Sequence, residues 1–190
     1  VSEELISANP MNKIKNEEKP HKHRTEREYL TIDELRKLAQ TPFYNGLLKK
    51  AFLFSCFCGL RHSDIIALTW GDIEMDDDGN SRLYIIQKKT KEAISLPLSQ
   101  EAIKQLPKRE DAKEDDIIFK KLITLGRTNE ILPKWAEQAG IKKHITFHTA
   151  RHTHATMLLT LGVDLYTVSK LLGHTNIQTT QIYAKLVDES

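Results

Sequence analysis

Cysteines, aromatic residues and long apolar runs are all scarce in this sequence. Its 190 residues include two cysteines and 7% aromatic residues. Cys56 and Cys58 lie two positions apart in one apolar run, where a disulfide between them would be strained and would close almost no loop. The spacing therefore predicts two buried free thiols in a reducing cytoplasm.

Membrane-spanning and secretory signals are missing as well. No apolar stretch approaches the roughly 18 residues that cross a membrane, and the start of the chain lacks the apolar core of a signal peptide. We expect a soluble cytoplasmic protein that has no membrane partner. The chain begins at Val1 instead of methionine, which predicts a fragment of a longer polypeptide.

A large net charge of either sign is also lacking, since the formal value is +2. So small a sum does not identify a nucleic-acid-binding protein, because it hides where the charges lie. Acidic residues gather in the ranges 72–78 and 110–116, whereas basic residues gather in 13–27 and 134–154. This distribution allows one positive face on a nearly neutral protein.

The length of the chain suits one domain with a substantial core. Residues 1–28 are polar and show no apolar period, which predicts a linker or flexible tail. Residues 29–190 form the predicted folded domain. Its first helix begins after Thr31, because Thr31 and Glu34 have the spacing of a capping box.

The period of the apolar residues changes twice along this domain. It is helical at first, becomes typical of strands in two β-rich segments and is helical again after Pro97. We therefore predict an α+β fold, mostly α-helical, with a small antiparallel β-sheet. The predicted strands are 82–87 and 93–96, and the predicted helices after the first are 44–58, 61–68, 99–106, 129–139, 147–161, 165–172 and 176–186.

Glycine and proline mark the ends of several predicted helices. Gly59 and Gly173 suit the left-handed residue that ends a helix. Pro133 is expected to kink its helix or to mark the true start of that helix. Three apolar residues of the short helix after Gly59 are expected to face the core, namely Ile65, Ile66 and Leu68.

Side chains suited to acid–base or phosphate chemistry are concentrated near the end of the chain. His148 and Arg151 are three apart on a predicted helix, so both can point at one target, and His152 lies on the same face. His174 follows a glycine-capped helix, and Tyr183 lies on the next one. Taken singly such residues are usually capping or surface residues, so only their joint pattern supports a site.

Arg61 adds a sixth reactive position far upstream, because it follows the glycine cap of a long apolar helix. Side chains that emerge from the ends and first turns of packed helices have the rigid support that a preorganised site requires.

Five segments together resemble the motifs of the tyrosine recombinase (phage integrase) family. They occur in the family's order and at similar spacing, and the resemblance runs from about Thr31 to Lys185. The segments are Cys58–Ile65 (CGLRHSDI) for the first arginine, Tyr84–Lys91 (YIIQKKTK) for the hairpin lysine, Phe147–Thr153 (FHTARHT) for the His-x-x-Arg motif, Leu171–His174 (LLGH) for the second histidine and Thr180–Tyr183 (TQIY) for the nucleophile.

The resemblance implies the catalytic-domain fold of that family and a site-specific recombinase of integrase type. Such an enzyme cleaves and rejoins DNA through a covalent 3'-phosphotyrosyl bond, here to Tyr183. Arg61, Arg151 and His174 would neutralise the negative charge of the transition state. His148 would assist the transfer of the tyrosine proton.

The resemblance also implies a general acid for the leaving 5'-oxygen, and the family's lysine matches Lys89. Lys88 and Lys91 stay open as alternatives, because the register of a turn is poorly fixed by sequence. Asp64 lies one helical turn after Arg61 and is expected to orient that arginine or its helix.

Double-stranded DNA is the partner that the resemblance implies, together with further recombinase subunits. Family members act as four subunits on DNA in the bacterial cytoplasm, whereas this chain alone is expected to be monomeric. The amino-terminal core-binding domain of the family is expected to be absent from the chain. Since one ester bond forms as another breaks, we expect no cofactor and no metal.

Three other functions fit parts of the sequence. Residues 162–173 and the following helix resemble a helix-turn-helix of a DNA-binding regulator without catalysis. His148 and His152 are four apart and His154 is close, as in a metal hydrolase, but the Glu of His-Glu-x-x-His is missing. A type IB topoisomerase shares the tyrosine chemistry, although the chain size and the Leu-Gly-His segment favour the recombinase.

Overall fold

The computed structural model describes residues 28–75 and 77–188. The predicted tail at 1–28 lies outside these residues, apart from Glu28. No helix in the described ranges is both long and apolar enough to cross a membrane. The elements are α1 Ile32–Gln40, α2 Gly46–Cys58, α3 His62–Ile65, a 3-10 turn Trp70–Asp72, β1 Ile73–Met75, β2 Ser81–Ile86, β3 Ala93–Pro97, α4 Gln100–Lys104, α5 Leu125–Gln138, α6 Phe147–Thr160, α7 Leu165–Leu172 and α8 Gln178–Asp188.

Helix α2 forms the centre of the core. Its residues are apolar on nearly every side, and such a helix must be buried. Phe52 and Phe54 are fully buried, and Phe52 meets Phe147 of α6 edge to face with ring centroids 6.0 Å apart. Asn45 caps the start of α2, and Gly59 ends it in the left-handed conformation, with φ of 69°. The predicted glycine cap is therefore confirmed, and α2 fixes where α3 begins.

The mostly helical α+β prediction is confirmed, with one more strand than expected. The sheet is antiparallel in the order β1, β2, β3. Leu83 of β2 and Ile94 of β3 face the core, whereas Tyr84, which follows Leu83 in β2, is exposed on the other face. Strand β1 has three residues, and Ile73 of β1 pairs with Leu83. So short a segment offers too few alternations to be recognised from sequence.

One sequence-based detail is wrong, and one of the two alternatives for Pro133 is excluded. Ile66 is 39% exposed, because α3 has only four residues and ends at Ile65, whereas Ile65 and Leu68 are buried as predicted. Helix α5 begins at Leu125, so Pro133 lies inside this helix and does not mark its start. The residues after Leu125, from Gly126 to Glu130, include no large apolar side chain, so the apolar period does not reveal where the helix begins.

His154 lies on α6 where this helix packs against α2. A methyl group on Gly59 would lie 2.7 Å from the His154 ring, and the ring Nδ1 has no hydrogen-bond partner among the described residues. Burial lowers the pKa of His154 to about 4, although a hydrogen bond to the Cys56 carbonyl opposes this change. The folded protein therefore holds a neutral histidine in its core at pH 7.

We expect acid to destabilise the fold through His154. The unfolded chain binds this proton near pH 6.5 and the folded chain near pH 4, so the stabilisation is complete above pH 6.5 and is lost as the pH falls toward 4. Between pH 7 and pH 5 the wild type should lose about 2 kcal/mol more unfolding free energy than His154→Leu. Urea titrations at each pH measure the difference, with the exposed His144→Leu as the control. Identical pH slopes for wild type and His154→Leu would contradict the assignment.

Candidate active site

Helix α6 carries His148 and Arg151 on one face, in its first and second turns. Its start is fixed in place because the backbone N–H of Phe147 donates to Asn129 Oδ1 over 2.9 Å. His148 is exposed, whereas Arg151 is only 1% exposed. The two residues therefore differ strongly in how much water reaches them.

The guanidinium of Arg151 is held between two helix ends. Its Nη1 donates to the Gly59 carbonyl over 2.8 Å, and its Nη2 donates to the Leu172 carbonyl over 2.6 Å. Burial, together with the nearby positive charge of Arg61, lowers the pKa of Arg151 to about 10. At pH 7 Arg151 is still a cation, so the site holds a buried positive charge in a fixed orientation.

Arg61 lies at the start of α3, directly after the chain leaves the glycine cap of α2. Its backbone is extended at the N-cap position, and its side chain is half-buried. Arg61 Nη1 donates to the side-chain oxygen of Gln87 over 2.7 Å. The close charge of Arg61 contributes to the lowered pKa of Arg151, so the fold brings together two arginines that are ninety positions apart.

Asp64 joins α3 to the turn between β2 and β3. The buried Asp64 carboxylate accepts the backbone N–H of Arg61 over 3.3 Å and the backbone N–H of Lys88 over 3.0 Å. It thus contacts the backbone of Arg61 instead of its guanidinium. Lys89 follows at the exposed tip of the turn. These bonds link the start of α3 to the hairpin, while the orienting role of Asp64 stays a prediction.

Tyr183 lies on α8 and is 2% exposed. Its hydroxyl is 2.9 Å from His152 Nδ1, a hydrogen-bond distance. The ring of His174 is nearly parallel to the ring of Tyr183, with centroids 6.5 Å apart. His174 Nδ1 is in turn 2.8 Å from the Thr180 hydroxyl, one turn before the tyrosine. The histidine after the α7 cap and the tyrosine are therefore neighbours.

Most of these side chains line one open cavity of about 570 Å³. Asp64, which was predicted to have a supporting role, does not line it. Basic, hydroxyl and phenol groups dominate the lining, which suits an anionic ligand. The lining includes all six residues for which the family resemblance implies a direct role: Arg61, Lys89, His148, Arg151, His174 and Tyr183.

Sequence reasoning missed two contacts of this site. His152 was placed on the right face of its helix, but its hydrogen bond to Tyr183 depends on how α6 and α8 pack. Gln87 was noted only as the end of a strand, yet it is fully buried beside Arg61. A polar residue at an inward position of the β2 alternation is the signal that identifies it, because buried amides need specific partners.

We expect His152 and Tyr183 to stabilise the fold together. A double-mutant cycle of His152→Leu and Tyr183→Phe should give a coupling free energy of about 1 kcal/mol, because each change alone removes the same buried hydrogen bond. Urea unfolding of the four proteins measures it. Pairing His152→Leu with Tyr166→Phe provides the control, because Tyr166 is 61% exposed and does not line the cavity around Tyr183. Strictly additive effects for His152 and Tyr183 would refute the bond.

The three histidines of the possible metal site do not converge. His148 and His152 are in edge-to-face contact with centroids 4.4 Å apart, but the His154 ring packs against Gly59 in the core. In the described part of the chain, no three histidine, cysteine or acidic side chains are grouped so as to hold a metal ion. The ligand set considered from the sequence is therefore not assembled there.

This chain is similar to known proteins in both sequence and fold. The model of the phage integrase family matches residues 28–190. The chain is 33% identical to the tyrosine recombinase XerC of Chlamydia caviae over 81% of its own length and 53% of that protein. It is 34% identical to the tyrosine recombinase XerD of Listeria monocytogenes over 81% of its length and 56% of that protein. The chain thus spans little more than half of these relatives.

Solved structures show the same fold at lower identity. A lambda integrase dimer bound to a core site has a TM-score of 0.66 and 24% identity, and the match covers 85% of this chain and 60% of that one. The XerA recombinase has a TM-score of 0.66 and 21% identity, covering 82% of this chain and 59% of that one. These matches support the predicted fold of a recombinase catalytic domain.

Proposed function

Since the chain belongs to the phage integrase family, we propose that residues 29–190 are the catalytic domain of a site-specific recombinase. In this proposal it cleaves and rejoins double-stranded DNA through a 3'-phosphotyrosyl bond to Tyr183. The observation that carries the proposal is the cavity in which two arginines, a lysine, two histidines and this tyrosine meet. A helix-turn-helix regulator is not favoured, because the curated relatives are named recombinases.

Tyr183 is the proposed nucleophile. Its oxygen forms a new bond to the phosphorus while the bond from phosphorus to the 5'-oxygen breaks. A free tyrosine ionises near pH 10, so at pH 7 its proton must be accepted as the bond forms. We assign the transfer to His148, and His152 holds the hydroxyl through its 2.9 Å contact.

Arg61, Arg151 and His174 are the proposed anion-binding groups. Negative charge collects on the nonbridging phosphate oxygens in the in-line transition state. Arg151 uses two of its N–H groups on the backbone, and three remain for the phosphate. A preorganised donor of this kind lowers such a barrier by about 3 kcal/mol.

Lys89 is the proposed general acid. It gives a proton to the 5'-oxygen as that oxygen leaves, so a hydroxyl departs instead of an alkoxide. Lys89 lines the cavity at the tip of the hairpin. Lys88 and Lys91 stay open as alternatives, but neither is among the cavity residues. Because one phosphoester replaces another, the balanced reaction requires neither a nucleotide cofactor nor a metal.

The partners follow from the same proposal. Solved relatives include XerH bound to its difH substrate and the Tn1549 integrase with circular intermediate DNA. We infer that this chain likewise acts on double-stranded DNA in the bacterial cytoplasm, as one of four subunits on DNA and as a monomer alone.

Covalent trapping tests the proposal. A library of nicked duplexes with randomised core sequence is incubated with the protein in EDTA, and adducts are digested and mapped by mass spectrometry. We expect DNA attached to the peptide that contains Tyr183, with the same yield with and without EDTA. An adduct that EDTA blocks would indicate a metal enzyme. DNA binding without any adduct would overturn the proposal in favour of a regulator.

A further inference from the structure

Gln87 occupies the point where the β2–β3 hairpin meets the two arginines. It directly follows β2 and its side chain is fully buried. Its side-chain oxygen accepts from Arg61 Nη1 over 2.7 Å and from the Thr90 hydroxyl over 2.8 Å, and its Nε2 donates to the Leu172 carbonyl over 3.0 Å. Three of the four hydrogen bonds that this amide can make are thus formed, each with a different part of the site.

The Leu172 carbonyl extends this network to the second arginine. It accepts from Gln87 Nε2 and from Arg151 Nη2, the latter over 2.6 Å. The next residue, Gly173, has φ of 64°, and a methyl group there would lie 2.7 Å from the Gln87 side-chain oxygen. Glycine is therefore required at Gly173 both by the backbone and by the seating of Gln87.

The turn that carries Lys89 is held on both sides of that residue. On one side the Lys88 N–H donates to Asp64, and on the other the Thr90 hydroxyl donates to Gln87. The Gln87 backbone closes the turn, because its N–H donates to the Glu92 carbonyl and its carbonyl accepts the Lys91 N–H, both over 2.9 Å. Lys89 itself is exposed at the tip, so its place depends on these flanking bonds.

We propose that Gln87 is a positioning residue that fixes the general acid Lys89 and the phosphate-binding Arg61 in place relative to each other. The inference rests on the proposed function, because it assigns those roles to Lys89 and Arg61. A buried amide with three satisfied bonds is a rigid link, and a change of about 1 Å in the place of a reacting group is enough to slow catalysis strongly. Gln87 acts through its neighbours and does not touch the phosphate.

A DNA substrate with sulfur in place of the leaving 5'-oxygen distinguishes a misplaced general acid from a general loss of activity. A thiol has a pKa near 8.5, so sulfur leaves as a thiolate without a proton. Single-turnover cleavage is measured on a nicked duplex recovered from the library, with oxygen or sulfur at that position. We expect Gln87→Met to cleave the oxygen substrate at least about tenfold more slowly than the wild type. The part of the loss that arises from Lys89 should disappear on the sulfur substrate, as for Lys89→Ala, whereas the part that arises from Arg61 should remain.

A second variant keeps the test decisive if Gln87→Met folds poorly. Thr90→Val removes only the bond from the hairpin to Gln87 and leaves the bond to Arg61. Its loss on oxygen should be recovered almost completely by sulfur. Gln105→Met makes the same glutamine change at the end of α4, outside the cavity, and should match the wild type on both substrates.

Equal losses on oxygen and sulfur, or no loss at all, would overturn the coupling between Gln87 and Lys89. Thermal melts identify any variant that is merely unfolded. If the wild type itself forms no adduct on either substrate, the proposed function fails. If the wild type cleaves and the Gln87 and Thr90 variants cleave equally well, only the positioning role fails.

Discussion

Phenylalanine in place of Tyr183 is expected to abolish the covalent adduct with DNA while leaving the fold intact. The change deletes the attacking oxygen and nothing else, so the yield of adduct should fall by at least about a thousandfold. The ring fills the same buried space on α8. Loss of the hydrogen bond to His152 should cost only about 1 kcal/mol of unfolding free energy.

A neighbouring tyrosine provides the matched control. Tyr166 on α7 is 61% exposed and lies outside the cavity, so Tyr166→Phe should form adduct at the wild-type rate. DNA binding, followed by gel shift, should persist in both variants because the cationic groups remain. An adduct that survives Tyr183→Phe would mean that another residue is the nucleophile, whatever the fold resembles.

The local parts of this site follow from sequence more readily than its long-range parts. The three-residue spacing of His148 and Arg151 places them on one helix face whatever the rest of the chain does. Gly59 and Gly173 end their helices as their residue type predicts. That Arg61 shares a cavity with Arg151 depends on how α2 and α6 pack, and only the family resemblance predicted it.

Burial and hydrogen-bond partners are what the sequence reveals least. Nothing local distinguishes Arg151, which is 1% exposed, from a surface arginine on the same helix. The hydrogen bond between Tyr183 and His152 and the bonds from Gln87 to Arg61 and Leu172 join residues that are 26 to 85 positions apart. Such contacts arise only when helices and hairpin have packed, so propensity and period do not contain them.

Lysine in place of Arg151 is expected to damage both stability and cleavage. One ammonium is compact and does not reproduce the planar fork that now reaches two carbonyls, so one buried carbonyl loses its donor at a cost of about 1–3 kcal/mol. Loss of the oriented donors should slow cleavage by about 10²–10³-fold. Arg61→Lys is the comparison: Arg61 is half-buried, so cleavage should fall similarly while stability changes by less than about 1 kcal/mol.

The stability loss follows from where the two carbonyls lie. Gly59 is the C-cap of α2, and Leu172 is the last residue of α7, so both carbonyls belong to helix ends whose acceptors lack partners within the helix. The negative ends of two helix dipoles face the same guanidinium, which explains how an arginine remains charged while almost fully buried. Arg151 therefore closes the core and presents a cation to the cavity at once. Urea unfolding and single-turnover cleavage of both lysine variants test this, and wild-type stability in Arg151→Lys would separate the two roles.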